Sequence, residues 1–355
     1  MFRSAVVAAL FAVVATLDVV TSPDVSFLLF YLLPVLLASW FLGQREGVIV
    51  SLASVGVWML DDALTERVYS HFAVPIWNRG AELVFFVFLA WLAGTLKTAL
   101  EREVRARTER LEMDLAVARE VQASLLPPRH LDMGHFSVSA ECRQAFGVGG
   151  DVYDIQKLGP DELFVAVADV SGKGIAAALL MSNFLASLRF LLPAHEGRFD
   201  VLAEELSERL LTSLGTPRFV TAFIGVVEDG WLRYVNAGHN PGLLVKPGAR
   251  PDEVVWLHST GTVLGLIPRA RFREERVPFS PGSLLLLYTD GLTEQSNAAG
   301  EEFGAARVAA VAAGSGAPAA VVKKLLGAAT AHAAGEAIGD DITVLCVRRY
   351  ETRES

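Results

Sequence analysis

The sequence predicts two structural classes in one chain: an N-terminal α-helical membrane bundle and a C-terminal mixed α+β domain. Three observations point there. At 355 residues the chain exceeds one ordinary domain. A mean hydropathy of +0.40 is high for a soluble protein, and the apolar surplus sits in the first hundred residues. Beyond residue 130, apolar strand-like runs and helix-like stretches follow one another without strict βαβ alternation, which favours an α+β sandwich over a doubly wound sheet.

Four apolar stretches open the chain: Ser4–Val20, Phe27–Leu42, Gly47–Leu60 and Leu83–Leu96. Each is at or below the roughly 17–25 residues of a membrane span. A buried soluble bundle is the alternative, and a cleaved signal peptide would explain only the first stretch. Basic residues set the orientation. Arg3 precedes span one, Arg45 lies between spans two and three, and Lys97, Arg102, Arg105, Arg107 and Arg110 follow span four. The link Asp18–Ser26 has no Lys or Arg, whereas Arg67 and Arg79 in the longer outer loop are exceptions. Both termini then fall on the cytoplasmic side of a multi-pass inner-membrane protein. Glu82 opens span four and reads either as a sensing residue or as a helix-end carboxylate in the wet interface.

From Lys97 the composition turns charged and helical until Pro127-Pro128 ends the helix. Val104, Leu111, Ala118 and Leu125 recur at heptad spacing, with Leu100, Leu115 and Val121 as a second row and Arg107 and Asp114 interrupting. This stretch reads as a homodimerising signal helix over 97–126 or as a solvated connector. The expected division is a membrane domain over 1–96, a linker helix over 97–128, a globular domain over 129–349 and a tail over 350–355.

In the globular part, Leu163–Val170, Phe219–Val227, Ser283–Asp290 and Ile342–Val347 read as strands. Ile175–Leu192, Asp200–Leu214 and Ala317–Ala334 read as helices, and Ala312–Ala320 as a loop. The net charge of −9, without a basic stripe, argues against nucleic-acid binding. Cys142 and Cys346 are isolated, so neither a disulfide framework nor a zinc site is indicated.

Acids adjoin the strand ends: Asp151 in "GVGGDVYD", Asp169 in "VADVSGKG", Asp290 in "LYTDGLTE", and Asp340 with Asp341 in "GDDITVL". One Asp-Gly is an ordinary turn. Several acid-bearing rims in one domain would repel one another unless a cation neutralised them. Hard oxygen ligands without His or Cys point to Mg²⁺ or Mn²⁺, and two such ions can activate a water for attack on a phosphoryl group.

These blocks, together with "FVTAFIGVV" and "LRYVNAGHNPGLLV", occur in the order of the SpoIIE-type (RsbU-like) metal-dependent serine/threonine phosphatases, the bacterial relatives of protein phosphatase 2C, which the chain resembles over about 116–347. The helix ending "AREVQASLLPP" resembles the segment that precedes that domain. The resemblance implies an α-β-β-α sandwich carrying two Mg²⁺ or Mn²⁺ ions at one rim. It implies Asp151 and Asp169 as metal ligands beside the attacking water, the Val170 carbonyl as a further ligand, and Asp290 and Asp340 as completing the site. Asp341 aligns with a non-ligating Asn of relatives. Asp154 would orient Asp151 or bind through water. Lys173 would meet the phosphate or face solvent. His239 reads as a structural hydrogen-bonding residue rather than a proton donor, and Asn240 as shaping its turn. The implied substrate is a phosphoserine or phosphothreonine on a STAS-type anti-anti-sigma regulator. Two other readings stand beside this one. A catalytically inactive phosphatase fold would serve as a binding module. A diguanylate cyclase is echoed by "GGDVYD", but Val152 and Tyr153 replace the Glu and Phe of its signature.

Overall fold

A computed structural model of the chain describes residues 2–21, 27–64, 71–195, 197–213, 218–314 and 316–351. Arg67 and the tail beyond Glu351 lie outside the described residues. Backbone contacts divide the chain into two units, Met1–Glu112 and Met113–Ser355.

The first unit holds helices α1 (Phe2–Val20), α2 (Leu28–Phe41), α3 (Gln44–Leu64) and the first part of α4 (Ala73–Leu125). The expected fourth span and the linker are therefore one uninterrupted helix. Charged residues replace apolar ones after Leu96, but that changes the helix's surroundings and not its backbone. By length and composition, α1 and α4 could cross a membrane, whereas α2 has 14 residues. A third apolar segment, Ile175–His195, belongs to the second unit and packs into its core. Tyr31, Val35, Trp58, Phe86 and Ala90 form the small interior of the bundle. Its outer surface exposes Leu29, Phe30, Ile49, Leu52, Val84 and Phe88, a surface suited to lipid rather than water. Polar side chains near one end of the helices satisfy one another. Asp18 Oδ2 accepts from Tyr31 Oη at 3.0 Å and Trp58 Nε1 at 2.6 Å. Arg79 donates to Asp62 at 3.0 Å and to Glu82 at 2.8 Å, so Glu82 is an ion-pair partner.

The second unit begins on the last turns of α4. Its strands are β1 (His130–Met133), β2 (Phe136–Arg143), β3 (Val152–Lys157), β4 (Leu163–Val170), β5 (Val220–Glu228), β6 (Trp231–Ala237), β7 (Gly242–Val245), β8 (Val255–Leu257), β9 (Glu275–Pro278), β10 (Leu284–Tyr288) and β11 (Ile342–Arg349). Its helices are α5 (Ile175–Leu191), α6 (Phe199–Ser213), α7 (Asp290–Thr293), α8 (Gly304–Ala313) and α9 (Pro318–Ala333). One sheet has the order β1-β2-β11-β10-β7-β8 and the other β3-β4-β5-β6-β9, with every named pairing antiparallel. The expected loop over 312–320 is shorter than read, because α8 runs to Ala313 and α9 starts at Pro318, where a proline suits the first helical turn.

Strand parity builds the layers. In β4, Leu163, Val165 and Val167 face the other sheet, while Phe164, Ala166, Ala168 and Val170 pack under α5 and α6. In β11, Leu345 and Val347 face inward, and Val344 and Cys346 pack against α8 and α9. Apolar residues on both faces explain why these strands read as unbroken apolar runs. The result is the expected α-β-β-α sandwich.

Candidate metal centre

The same parity gathers the acids. Tyr153 of β3 lies between the sheets, so Asp151, two residues earlier, points that way too. Asp169 shares the inward parity of Val165 and Val167 and pairs in register with Thr221. Asp290 opens α7, one residue (Thr289) after β10, and Asp340 and Asp341 lead into β11, the neighbour of β10. The acids converge on one end of the sandwich, and their electrostatics show it. Burial and then the Asp169 charge hold the Asp151 carboxyl well above the usual range. Burial, followed by the charges of Asp290, Asp340 and Asp341, pushes Asp169 up to about 7. Asp290 is raised by burial and by Asp340.

Three neighbours position the site. Thr289, fully buried, donates its Oγ1 to Asp151 Oδ2 at 2.7 Å and accepts the Thr343 N–H at 2.9 Å. Asp341 accepts the backbone N–H of Ala145 at 2.8 Å and of Gly150 at 2.9 Å. Both Asp341 oxygens are thereby committed to the loop before Asp151, whereas Asp340 Oδ1 accepts the neighbouring Asp341 N–H at 2.9 Å. Lys173 Nζ lies 2.9 Å from Asp340 Oδ2 and donates to the Gly339 carbonyl at 2.8 Å, so it stands beside the acids while its side chain stays half exposed. Two glycines permit this packing. A Cβ at Gly149 would lie 1.8 Å from Asp341 Oδ2, and one at Gly291 would lie 2.0 Å from the Asp341 carbonyl oxygen. An open cleft of about 340 Å³ lies alongside, with Lys173, Gly291, Glu294 and Asp340 among its walls.

The structure places other expected residues elsewhere. Asp154 neither orients Asp151 nor faces the acids. Three residues apart on a strand means opposite faces, and Asp154 points under α5. There it accepts from Arg189 at 2.7 and 3.1 Å and from Gln156 at 2.7 Å. His239 Nδ1 lies 2.9 Å from Thr221 Oγ1. Burial lowers its pKa to about 4, so near pH 7 the ring is neutral and lacks the imidazolium proton that a general acid would give up. Its turn is shaped by Asn236 rather than Asn240: Asn236 Oδ1 accepts the His239 N–H at 2.8 Å, and Nδ2 donates to Leu257 O at 3.2 Å. Asn240 contributes a carbonyl, 3.4 Å from Asn236 Nδ2. Sequence reading missed Thr289, although it immediately precedes Asp290.

Among the described residues, no three His, Cys, Asp or Glu side chains converge closely enough to enclose an ion by themselves. Mg²⁺ and Mn²⁺ do not need such a cage. Mg²⁺ in particular keeps several waters and is commonly held by one or two carboxylates. The donor set fits these ions: mutually repelling hard oxygens, with Cys142, the nearby sulfur, kept as a thiol because burial and the Asp151 charge push it up to about 12.

A rim of acids on this sandwich defines a phosphatase 2C-type domain, and comparison with known families places the chain. Residues 159–350 match the family described as Stage II sporulation protein E (SpoIIE), and the chain belongs to that family. Residues 2–110 match a domain of unknown function, DUF4118. Protein IcfG of Synechocystis sp. (strain ATCC 27184 / PCC 6803 / Kazusa) is 28% identical over 288 residues, covering 73% of this chain and 45% of that protein. Phosphoserine phosphatase RsbU of Bacillus subtilis (strain 168) is 27% identical over 199 residues, covering 54% of this chain and 56% of that protein. The chain thus spans about half the length of the curated relatives it matches. The solved SiaA-PP2C domain of Pseudomonas aeruginosa superposes with a TM-score of 0.61 at 22% identity, covering 69% of this chain and 99% of that one, which shows the shared fold.

Proposed function

We propose that the protein is a membrane-bound, metal-dependent serine/threonine protein phosphatase acting on a phosphorylated regulatory protein, with a STAS-type anti-anti-sigma factor as the substrate class. The observation that carries the reading is the set of mutually repelling carboxylates at one rim of a SpoIIE-family sandwich. Asp151, Asp169, Asp290, Asp340 and the Val170 carbonyl would hold two Mn²⁺ or Mg²⁺ ions. When bound, such ions neutralise phosphoryl oxygens and make a water acidic enough to attack at neutral pH. The chain's own residues prepare that site. Thr289 fixes one oxygen of Asp151, Asp341 holds the Ala145–Gly150 backbone in place, and Lys173 sets a positive charge at the mouth of the cleft. The likeness to RsbU, itself called a phosphoserine phosphatase, supports phosphoserine as the group hydrolysed.

The apolar helices and the DUF4118 match support membrane association. The four-span arrangement in the inner membrane, with the phosphatase domain cytoplasmic, rests on the placement of Lys and Arg around the spans. The 97–128 linker and a homodimer seam along 97–126 belong to the same reading. Val104 and Leu111 are exposed, as a seam requires, whereas Leu125 packs against the core of its own second unit.

The test is release of phosphate from a phosphoserine peptide and an aryl phosphate by the purified full-length protein. Turnover should appear with Mn²⁺ or Mg²⁺ and vanish with EDTA. Absence of turnover at every metal concentration, or turnover indifferent to EDTA, would sink the assignment.

A further inference from the structure

We propose that Gln122, on the last turns of α4, is a positioning residue for the metal site: its amide clamps Gly149 and thereby sets Asp151. This deepens the phosphatase reading and rests on it. Gln122 is a polar side chain only 4% exposed. Its Nε2 donates to the Gly149 carbonyl at 2.7 Å, and its Oε1 accepts the Gly149 N–H at 3.2 Å. The side-chain amide thus pairs with a backbone peptide group at both ends, as a neighbouring strand would. Gln144 Nε2 donates to the same Oε1, and Arg119 Nε donates to the Gly147 carbonyl at 2.8 Å.

Gly149 is held from both sides. Gln122 grips it from the helix, and Asp341, which binds the Gly150 N–H, occupies the space where a Gly149 side chain would stand. Asp151 follows two residues later, its carboxylate fixed by Thr289. Little slack lies between helix and carboxylate, so a shift of Gly149 carries into Asp151. Arg119 and Gln122 stand three residues apart on one helical face, with Leu125 and Leu126 beyond them packed on the domain core. Val117 and Val121 lie exposed on the same turns. One residue of helix rotation is about 100° and would swing Gln122 off Gly149. That rotation would leave a buried peptide group without partners, which is unfavourable because a buried donor or acceptor must then go unsatisfied. The last turns of α4 and the acid rim are therefore mechanically one piece, and metal affinity should report how the helix sits.

The test uses the full-length protein in detergent, with Gln122→Leu, the isosteric Gln122→Glu, and Glu120→Gln on the exposed side of the same helix. Mn²⁺ binding is read by electron paramagnetic resonance and local order by hydrogen exchange. Both Gln122 variants should weaken Mn²⁺ binding roughly 10–100-fold, the range typical of residues that orient metal ligands. They should also speed exchange at Gly149–Asp151 while leaving β4 and β5 protected. Turnover should recover as Mn²⁺ is raised, and Glu120→Gln should change nothing. Wild-type Mn²⁺ affinity and wild-type exchange in Gln122→Leu would overturn the proposal, leaving Gln122 a packing residue in an otherwise intact phosphatase. A wild-type chain that neither binds Mn²⁺ nor hydrolyses phosphate would overturn the phosphatase reading instead. The exchange data would then decide the clamp alone.

Discussion

Asp169→Asn should nearly abolish metal-supported turnover while making the metal-free second unit more stable above neutral pH. The first effect follows from losing a charged oxygen at the centre of the acid rim. Metal ions contribute several kcal/mol of charge stabilisation to such reactions, and each 1.36 kcal/mol is tenfold, so a loss of roughly a thousandfold is expected. The second effect has the opposite sign. Burial and the charges of Asp290, Asp340 and Asp341 raise Asp169 to about 7, whereas an unfolded aspartate ionises near 4 (~3.9). Below about pH 4 both states are protonated and nothing is lost. Between about 4 and about 7 the unfolded chain ionises first, so stability falls as pH rises, and above that window the penalty stays. Asparagine cannot ionise and removes this slope. Thermal unfolding in EDTA at pH 5 and pH 8, beside aryl phosphate turnover at saturating Mn²⁺, checks both effects. Turnover within tenfold of wild type would remove Asp169 from the site.

Arg189→Ala should destabilise the second unit more than any ordinary surface substitution. Asp154 is 1% exposed, and Arg189 supplies its only cation through two hydrogen bonds among the described residues. The same guanidinium donates to the Leu125 carbonyl at 3.0 Å, tying α5 to the end of α4. Removing one partner of a buried pair typically costs about 3–5 kcal/mol, because the remaining charge stays desolvated. The Arg189 side chain is 38% exposed, so water can relieve part of the cost and the lower end of that range is expected. Combining Asp154→Asn with Arg189→Met should recover much of the loss, since no lone charge then remains. Urea denaturation measures both variants. A single variant as stable as wild type would show that the pair is incidental.

The two cases show what the sequence could and could not convey. Asp151, Asp169, Asp290 and Asp340 were legible because each adjoins an apolar strand, and strand ends on one sandwich meet at a rim. Asp154 looked like a companion to Asp151, but a spacing of three puts it on the far face of β3, under α5. β4 was legible because both its faces are buried, giving seven apolar or small residues and one acid. β2 was not: Ser137, Ser139, Glu141 and Arg143 break its run, and only pairing with β1 and β11 makes it a strand. The continuity of α4 was hidden because hydropathy changes sharply at Lys97 while helix propensity does not. Thr289 and Gln122 were invisible for a common reason: each acts through a partner distant in sequence, Asp151 for Thr289 and Gly149 for Gln122. Local pattern carries no information about such contacts.

The claim on which the rest depends is that the acid rim binds catalytic metal, and Mn²⁺ stoichiometry measured by electron paramagnetic resonance on the full-length protein tests it most directly. The account predicts two Mn²⁺ per chain, with binding lost in Asp169→Asn and weakened in Asp290→Asn and Asp340→Asn. Absence of bound Mn²⁺, or binding that all three substitutions leave unchanged, would contradict it.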